Sequence, residues 1–156
     1  MSNIEERLEK LGIALPPLAR SVGNYLPFKQ AGPLFICVQG PLWGDDLRYQ
    51  GRLGHEFTLE QGHEAARLAL LNIVAQLKLA CGGDLSRTRQ CLRLGGFVNS
   101  TPEFNQHTLV MNAASDLLIA ILGERGRHAR FVVGCSSLPY DLAIEIEGMF
   151  EIEPVS

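Results

Sequence analysis

Paired cysteines, clustered positive charge and long apolar runs are all missing from this 156-residue chain. The cysteines Cys37, Cys81, Cys91 and Cys135 include no Cys-x-x-Cys spacing, and the nearest histidines are not at ligand spacing. Neither a disulfide framework nor a zinc site is expected. Cys37 and Cys135 sit within apolar runs and Cys81 ends one, the pattern of buried, reduced thiols. His55, His63, His107 and His128 are dispersed, so no metal is expected. Lysine and arginine total 14 against 17 aspartates and glutamates, a net charge of −3. The densest basic group, Arg87 to Arg93, is short and interrupted by Cys91 and Leu92. That balance offers no electrostatic case for nucleic acid or an anionic membrane as partner. No apolar run approaches the roughly 20 residues that cross a bilayer. The chain opens Met1-Ser2-Asn3-Ile4-Glu5-Glu6, acidic and polar, so a cytoplasmic protein is expected. Gly82-Gly83 and Gly95-Gly96 lack the pattern of a phosphate loop, and no cofactor is expected.

What is present is an ordinary globular composition, 46% hydrophobic and 20% charged, enough for a single domain over residues 1–156. Ser2-Asn3-Ile4-Glu5 has the form of a capping box. Ile4, Leu8 and Leu11 then follow at helical spacing to a stop at Gly12. Val22 to Ala31 and Leu34 to Val38 read as strands around a Gly32-Pro33 turn, and Gly40 to Tyr49 as a loop. Thr58-Leu59-Glu60-Gln61 is a second capping box, opening a long helix that Gly82-Gly83 closes. Gln90 to Val98 reads as a strand. Asn105 to Leu122 reads as a second long helix with Asn105 as N-cap. Arg130 to Cys135 and Leu142 to Ile152 read as the last strands. Each long helix follows a strand, so a sheet carrying two helices on one face is the economical layout.

The last thirty residues carry the most information. Arg130 opens one apolar run, and Ile144-Glu145-Ile146-Glu147 begins a second that alternates. A hairpin centred on Ser137 to Pro139 would set Arg130 beside Glu145 or Glu147. A guanidinium that suits a carboxylate ligand would then sit near a carboxylate that can hold a water. In the final strand the isoleucines share one parity and the glutamates the other. The preceding strand is apolar or small on both. Helices would cover one face of the sheet and another subunit the second.

These residues resemble the Rid family, also called YjgF or L-PSP-like. Ala129-Arg130, Leu138-Pro139 and Ile144-Glu145-Ile146-Glu147 carry the likeness most strongly. Glu64 to Asn72 looks like its first long helix, Arg93 to Asn99 with Phe104 like its strand and loop, and Gly23-Asn24-Tyr25 like its Gly-x-Tyr element. Gly126-Arg127-His128-Ala129-Arg130 looks like a branch whose members mostly lack an assigned activity. The resemblance implies an α/β, chorismate-mutase-like fold, with a mixed β-sheet under two long helices on one face, assembled as a homotrimer. It implies ligand sites between subunits, lined by Arg130, Tyr25, Cys37, Val38 and Phe104. In the deaminase branch the arginine grips the carboxylate of a 2-imino or 2-enamino acid while the first glutamate positions water. Those roles fall on Arg130 and Glu145. The chain departs from that branch at Cys37-Val38-Gln39, where deaminases usually carry Ser-Gly-Gln, at Val132, where they carry cysteine, and at His128, where proline is usual. Two function classes follow from the resemblance: a hydrolase of reactive imines, and a trimeric protein that binds a small carboxylate metabolite without turnover. Ribonuclease activity, attached to the L-PSP name, is disfavoured by the charge balance.

Overall fold

The computed structural model describes residues 3–155. Helix α1 (Ile4–Lys10) is capped by Asn3, whose side chain accepts from the Glu5 N–H at 3.3 Å. The sequence pattern placed a capping box from Ser2, which lies outside the described residues. After α1 the chain is irregular until β1 (Phe28–Ala31). The strand expected from Val22 is therefore much shorter, because Gly23 and Pro27 interrupt it. A tight turn leads to β2 (Leu34–Gln39). The expected loop 40–49 holds a small ribbon, β3 (Leu42–Trp43) and β4 (Asp46–Leu47). Helix α2 (Leu59–Ala80) starts on a complete capping box: Thr58 Oγ accepts from the Gln61 N–H and Gln61 Oε1 accepts from the Thr58 N–H. Then come β5 (Thr88–Asn99), α3 (His107–Leu122), β6 (Ala129–Cys135) and β7 (Ile144–Ile152). Helix α3 begins after Gln106 with no side-chain cap, so Asn105 is not its N-cap.

The sheet order is β1-β2-β7-β5-β6. Only β5 and β6 run parallel, because α3 carries the chain back across the sheet between them. The expected hairpin between the last two strands does not form. β7 lies between β2 and β5 and pairs antiparallel with both, while β6 is an edge strand. The connection 136–143 crosses from one side of β5 to the other. Arg130 is opposite Leu94, whereas Glu145 is opposite Phe97.

Leu94 is fully buried under the helices and Phe97 is exposed on the other face. Arg130 and Glu145 therefore face opposite sides of the sheet. The helix side is a continuous core in which Phe35 packs edge-on against Phe150 at 5.9 Å. Two adjacent glycines on β5 serve both faces. A Cβ on Gly96 would meet Met111 of α3 at 2.6 Å, and a Cβ on Gly95 would overlap the Phe131 ring on the far side. Asn72 on α2 donates to the Leu42 carbonyl at 2.7 Å, which ties the ribbon to the helix.

Candidate functional site

The open side of the sheet holds a cavity of about 640 Å³. Its floor is β2 and the start of β7, through Val38, Gln39 and Glu145. The ribbon contributes Leu42 and Leu47, and the turn before β7 contributes Pro139, Tyr140 and Leu142. The irregular segment 19–27 covers the rest, with Ser21 and Tyr25 on the cavity wall. That segment is fastened to the ribbon at Asp45, whose carboxylate accepts from the Arg20 backbone N–H at 3.0 Å and from Arg20 Nε at 2.9 Å. The pair lowers the pKa of Asp45 and raises that of Arg20, first through the side-chain hydrogen bond. Both groups are well exposed, so the fastening is soft.

Glu145 is the half-buried carboxyl of this cavity. Burial alone pushes its pKa up, because removal from water penalises the charged form. Among the described residues no hydrogen bond or ion pair answers it. Ser21 Oγ is likewise buried without a partner. The next glutamate, Glu147, is instead paired with Arg93.

Arg130 belongs to a different cluster, on the helix side of the edge strand. Nη1 donates to Asn112 Oδ1 at 2.9 Å and to Ser115 Oγ at 3.1 Å, and Nη2 reaches the Thr108 carbonyl at 3.5 Å. Ser115 Oγ also contacts His128 Nε2 at 2.9 Å. A guanidinium carries five N–H groups, so part of its donor capacity is unspent.

Of the residues singled out from sequence, the structure brings Tyr25, Val38 and Glu145 to one cavity. Arg130, Cys37 and Phe104 lie outside it. Cys37 faces the core, donates to the Pro27 carbonyl at 3.3 Å, and has its thiol pushed up to about 12 by burial. Phe104 packs edge-on against His107 at 5.2 Å. Cys135 is partly buried, and burial first, then the charge of Glu145, raises its pKa. No group of three or more His, Cys, Asp and Glu able to hold a metal ion occurs among the described residues. No helix among them is long and apolar enough to cross a membrane.

Comparison with known proteins adds the family. A family model described as "YjgF/chorismate mutase-like, putative endoribonuclease" matches residues 5–147. The chain belongs to that YjgF family. Protein TCP17 of Trypanosoma cruzi is 38% identical over 152 residues, 96% of this chain and 94% of that protein. Among crystal structures, Atu1372 of Agrobacterium tumefaciens, described as of unknown function, is 42% identical with a TM-score of 0.88 over 96% of this chain and 93% of that one. A Shewanella oneidensis protein that carries the same endoribonuclease description is 38% identical with a TM-score of 0.93, over 97% and 100%. These matches fix the YjgF/chorismate-mutase-like fold that the terminal motif suggested.

Sequence reasoning missed several groups of this YjgF-family cavity. Gln39 ends an otherwise apolar strand, and a polar residue at a buried parity was the available signal. Arg20 and Asp45 lie far apart in sequence and gave none. Nor did Tyr140, which occupies a left-handed backbone conformation with φ +56°.

Proposed function

We propose that the chain assembles as a homotrimer and binds small 2-oxo or 2-imino acids in clefts between subunits, where Glu145 meets Arg130 of an adjacent subunit. The observation that carries this reading is the unanswered, half-buried carboxyl of Glu145 in a large cavity. Arg20, the only cation lining that cavity among the described residues, is engaged by Asp45. A carboxylate ligand there needs a second cation. Arg130, held by α3 on an edge strand with donors to spare, can supply it only from another copy, because within its own subunit it faces the other way. The open face supports assembly: Val38, Phe97, Phe131 and Val133 are 36–47% exposed.

In the catalytic form of this reading Arg130 holds the ligand carboxylate through its planar fork. Glu145, desolvated and therefore more basic, takes a proton from a water as its oxygen attacks the C=N carbon. That proton passes to the nitrogen, the proton of the newly added hydroxyl follows it as the C=O bond forms and the C–N bond breaks, and a 2-oxo acid and ammonia leave. A second reading, binding without turnover, is favoured by Val38, which sets a branched side chain on the cavity floor where deaminases of the family usually have glycine. RNA cleavage is not expected from a chain of net charge −3.

The test is to generate 2-imino acids in the presence of the protein and follow loss of imine. The enzyme reading expects faster loss with wild type and background loss with Glu145→Gln, which should still bind 2-oxo acids. Arg130→Lys keeps the charge but loses the fork, so affinity should fall roughly tenfold to hundredfold, the effect of one charge-assisted pair. Binding without turnover in wild type would select the second reading.

A further inference from the structure

We propose that the cavity beside Glu145 selects acids with a large, planar apolar side chain, and that Tyr140 is the residue that selects them. This rests on the carboxylate-binding reading above and adds the substrate class. Tyr140 and Asp141 are consecutive non-glycine residues in the left-handed region, at φ +56° and +57°. Such a conformation is costly for a tyrosine, and it is enforced from several sides. Gln50 Nε2 donates to the Tyr140 carbonyl at 2.9 Å, the Gly51 N–H donates to the Asp141 carbonyl at 2.7 Å, and buried Asn99 donates to Asp141 Oδ1 at 3.0 Å. The ring gains no core packing in return. It is 55% exposed and lines the cavity. If only the turn mattered, glycine would serve without strain. The strain instead buttresses an aromatic side chain at a ligand cavity.

The rest of the cavity agrees. Val22, Val38, Leu47 and Leu142 are apolar walls around about 640 Å³, far more room than a methyl side chain fills. Tyr25 stands on the covering segment and Tyr140 on the turn, so a flat apolar group has aromatic surface on two walls.

The experiment is isothermal titration of the full chain with pyruvate, 4-methyl-2-oxopentanoate and phenylpyruvate. Affinity should rise in that order, by roughly tenfold or more from first to last. Tyr140→Phe should keep the preference. Tyr140→Gly and Tyr140→Asn, which both tolerate the left-handed turn, should bring the phenylpyruvate-to-pyruvate ratio several-fold closer to one. Pyruvate binding as tightly as phenylpyruvate would overturn the proposal, as would an unchanged ratio in both the glycine and asparagine variants. If wild type shows the preference and Arg130→Ala binds each acid as tightly as wild type does, Tyr140 selectivity stands and the arginine assignment falls. If no acid binds wild type, both fall together.

Discussion

On the helix side of the sheet Phe35, Phe150, Ile144 and Ile146 are completely buried, whereas on the other side Phe97, Phe131, Val38 and Val133 keep 36–47% of their surface in water. All of them belong to one sheet: Phe35 and Val38 take opposite faces of β2, and β7 alternates in the same way between buried and partly exposed residues. The helix side answers its own needs with α2 and α3. Among the described residues, the open side carries Glu145 with no partner and apolar side chains with no cover. The helix side therefore sets the stability of the subunit, and the open side is where assembly and ligand are expected to act. Arg130 crosses that division. It is organised by the helix side, and in the proposed trimer it serves the open side of a neighbour.

The sharpest way to break this contrast is a matched pair of truncations. Phe150→Ala should cost about 3–5 kcal/mol of subunit stability in urea titrations, the usual loss for a buried phenylalanine. Phe131→Ala should cost far less in the same assay, yet shift sedimentation toward smaller species. Equal stability losses would erase the distinction between the faces. A smaller effect is expected from Asn99→Ala. Asn99 is buried where β5 ends and donates to Asp141 Oδ1 and to the Leu142 carbonyl at 3.1 Å. Its loss should cost about 1–3 kcal/mol by leaving buried acceptors unpaired, and it should loosen the Tyr140 turn. Hydrogen exchange should then rise at residues 139–143 more than in α2.

The smallest effect concerns charge on the open side. Glu145 has a raised pKa in the folded chain, from burial. Its contribution to stability is thus fully present below the ordinary carboxylate range and is lost as pH rises through its folded value. Glu145→Gln removes the buried charge. The variant should be more stable than wild type at neutral pH and gain nothing near pH 4, where wild type is largely protonated as well. A melting-temperature series across that window reads the sign. A variant less stable at neutral pH would mean that Glu145 has a partner in the assembled protein.

How far the sequence carried depended on whether the deciding interaction was local. The Thr58–Gln61 capping box and the Ile-Glu-Ile-Glu alternation involve neighbours in sequence, and both were legible. Strand order was not. Alternation says which residues share a face but not which strand lies alongside, so the last two strands read as a hairpin when β5 in fact separates β6 from β7. That error also set Arg130 beside Glu145. Tyr25 was legible as a cavity residue through its Gly-x-Tyr context, although the strand drawn through it does not exist. Tyr140 was beyond reach, because no rule anticipates a tyrosine at positive φ.

The central claim is that the site is shared between subunits, and subunit mixing tests it most directly. Arg130→Ala and Glu145→Gln proteins, each inactive alone, are dissociated, combined in equal amounts and reassembled. In a cyclic assembly each cleft draws its arginine from one subunit and its glutamate from the next. Random mixing should then restore roughly a quarter of wild-type imine turnover, since about one cleft in four receives both intact residues. No recovery from hybrids that have demonstrably exchanged subunits would contradict the account, because it would mean that the two residues act within one chain or that Arg130 has no part in the site.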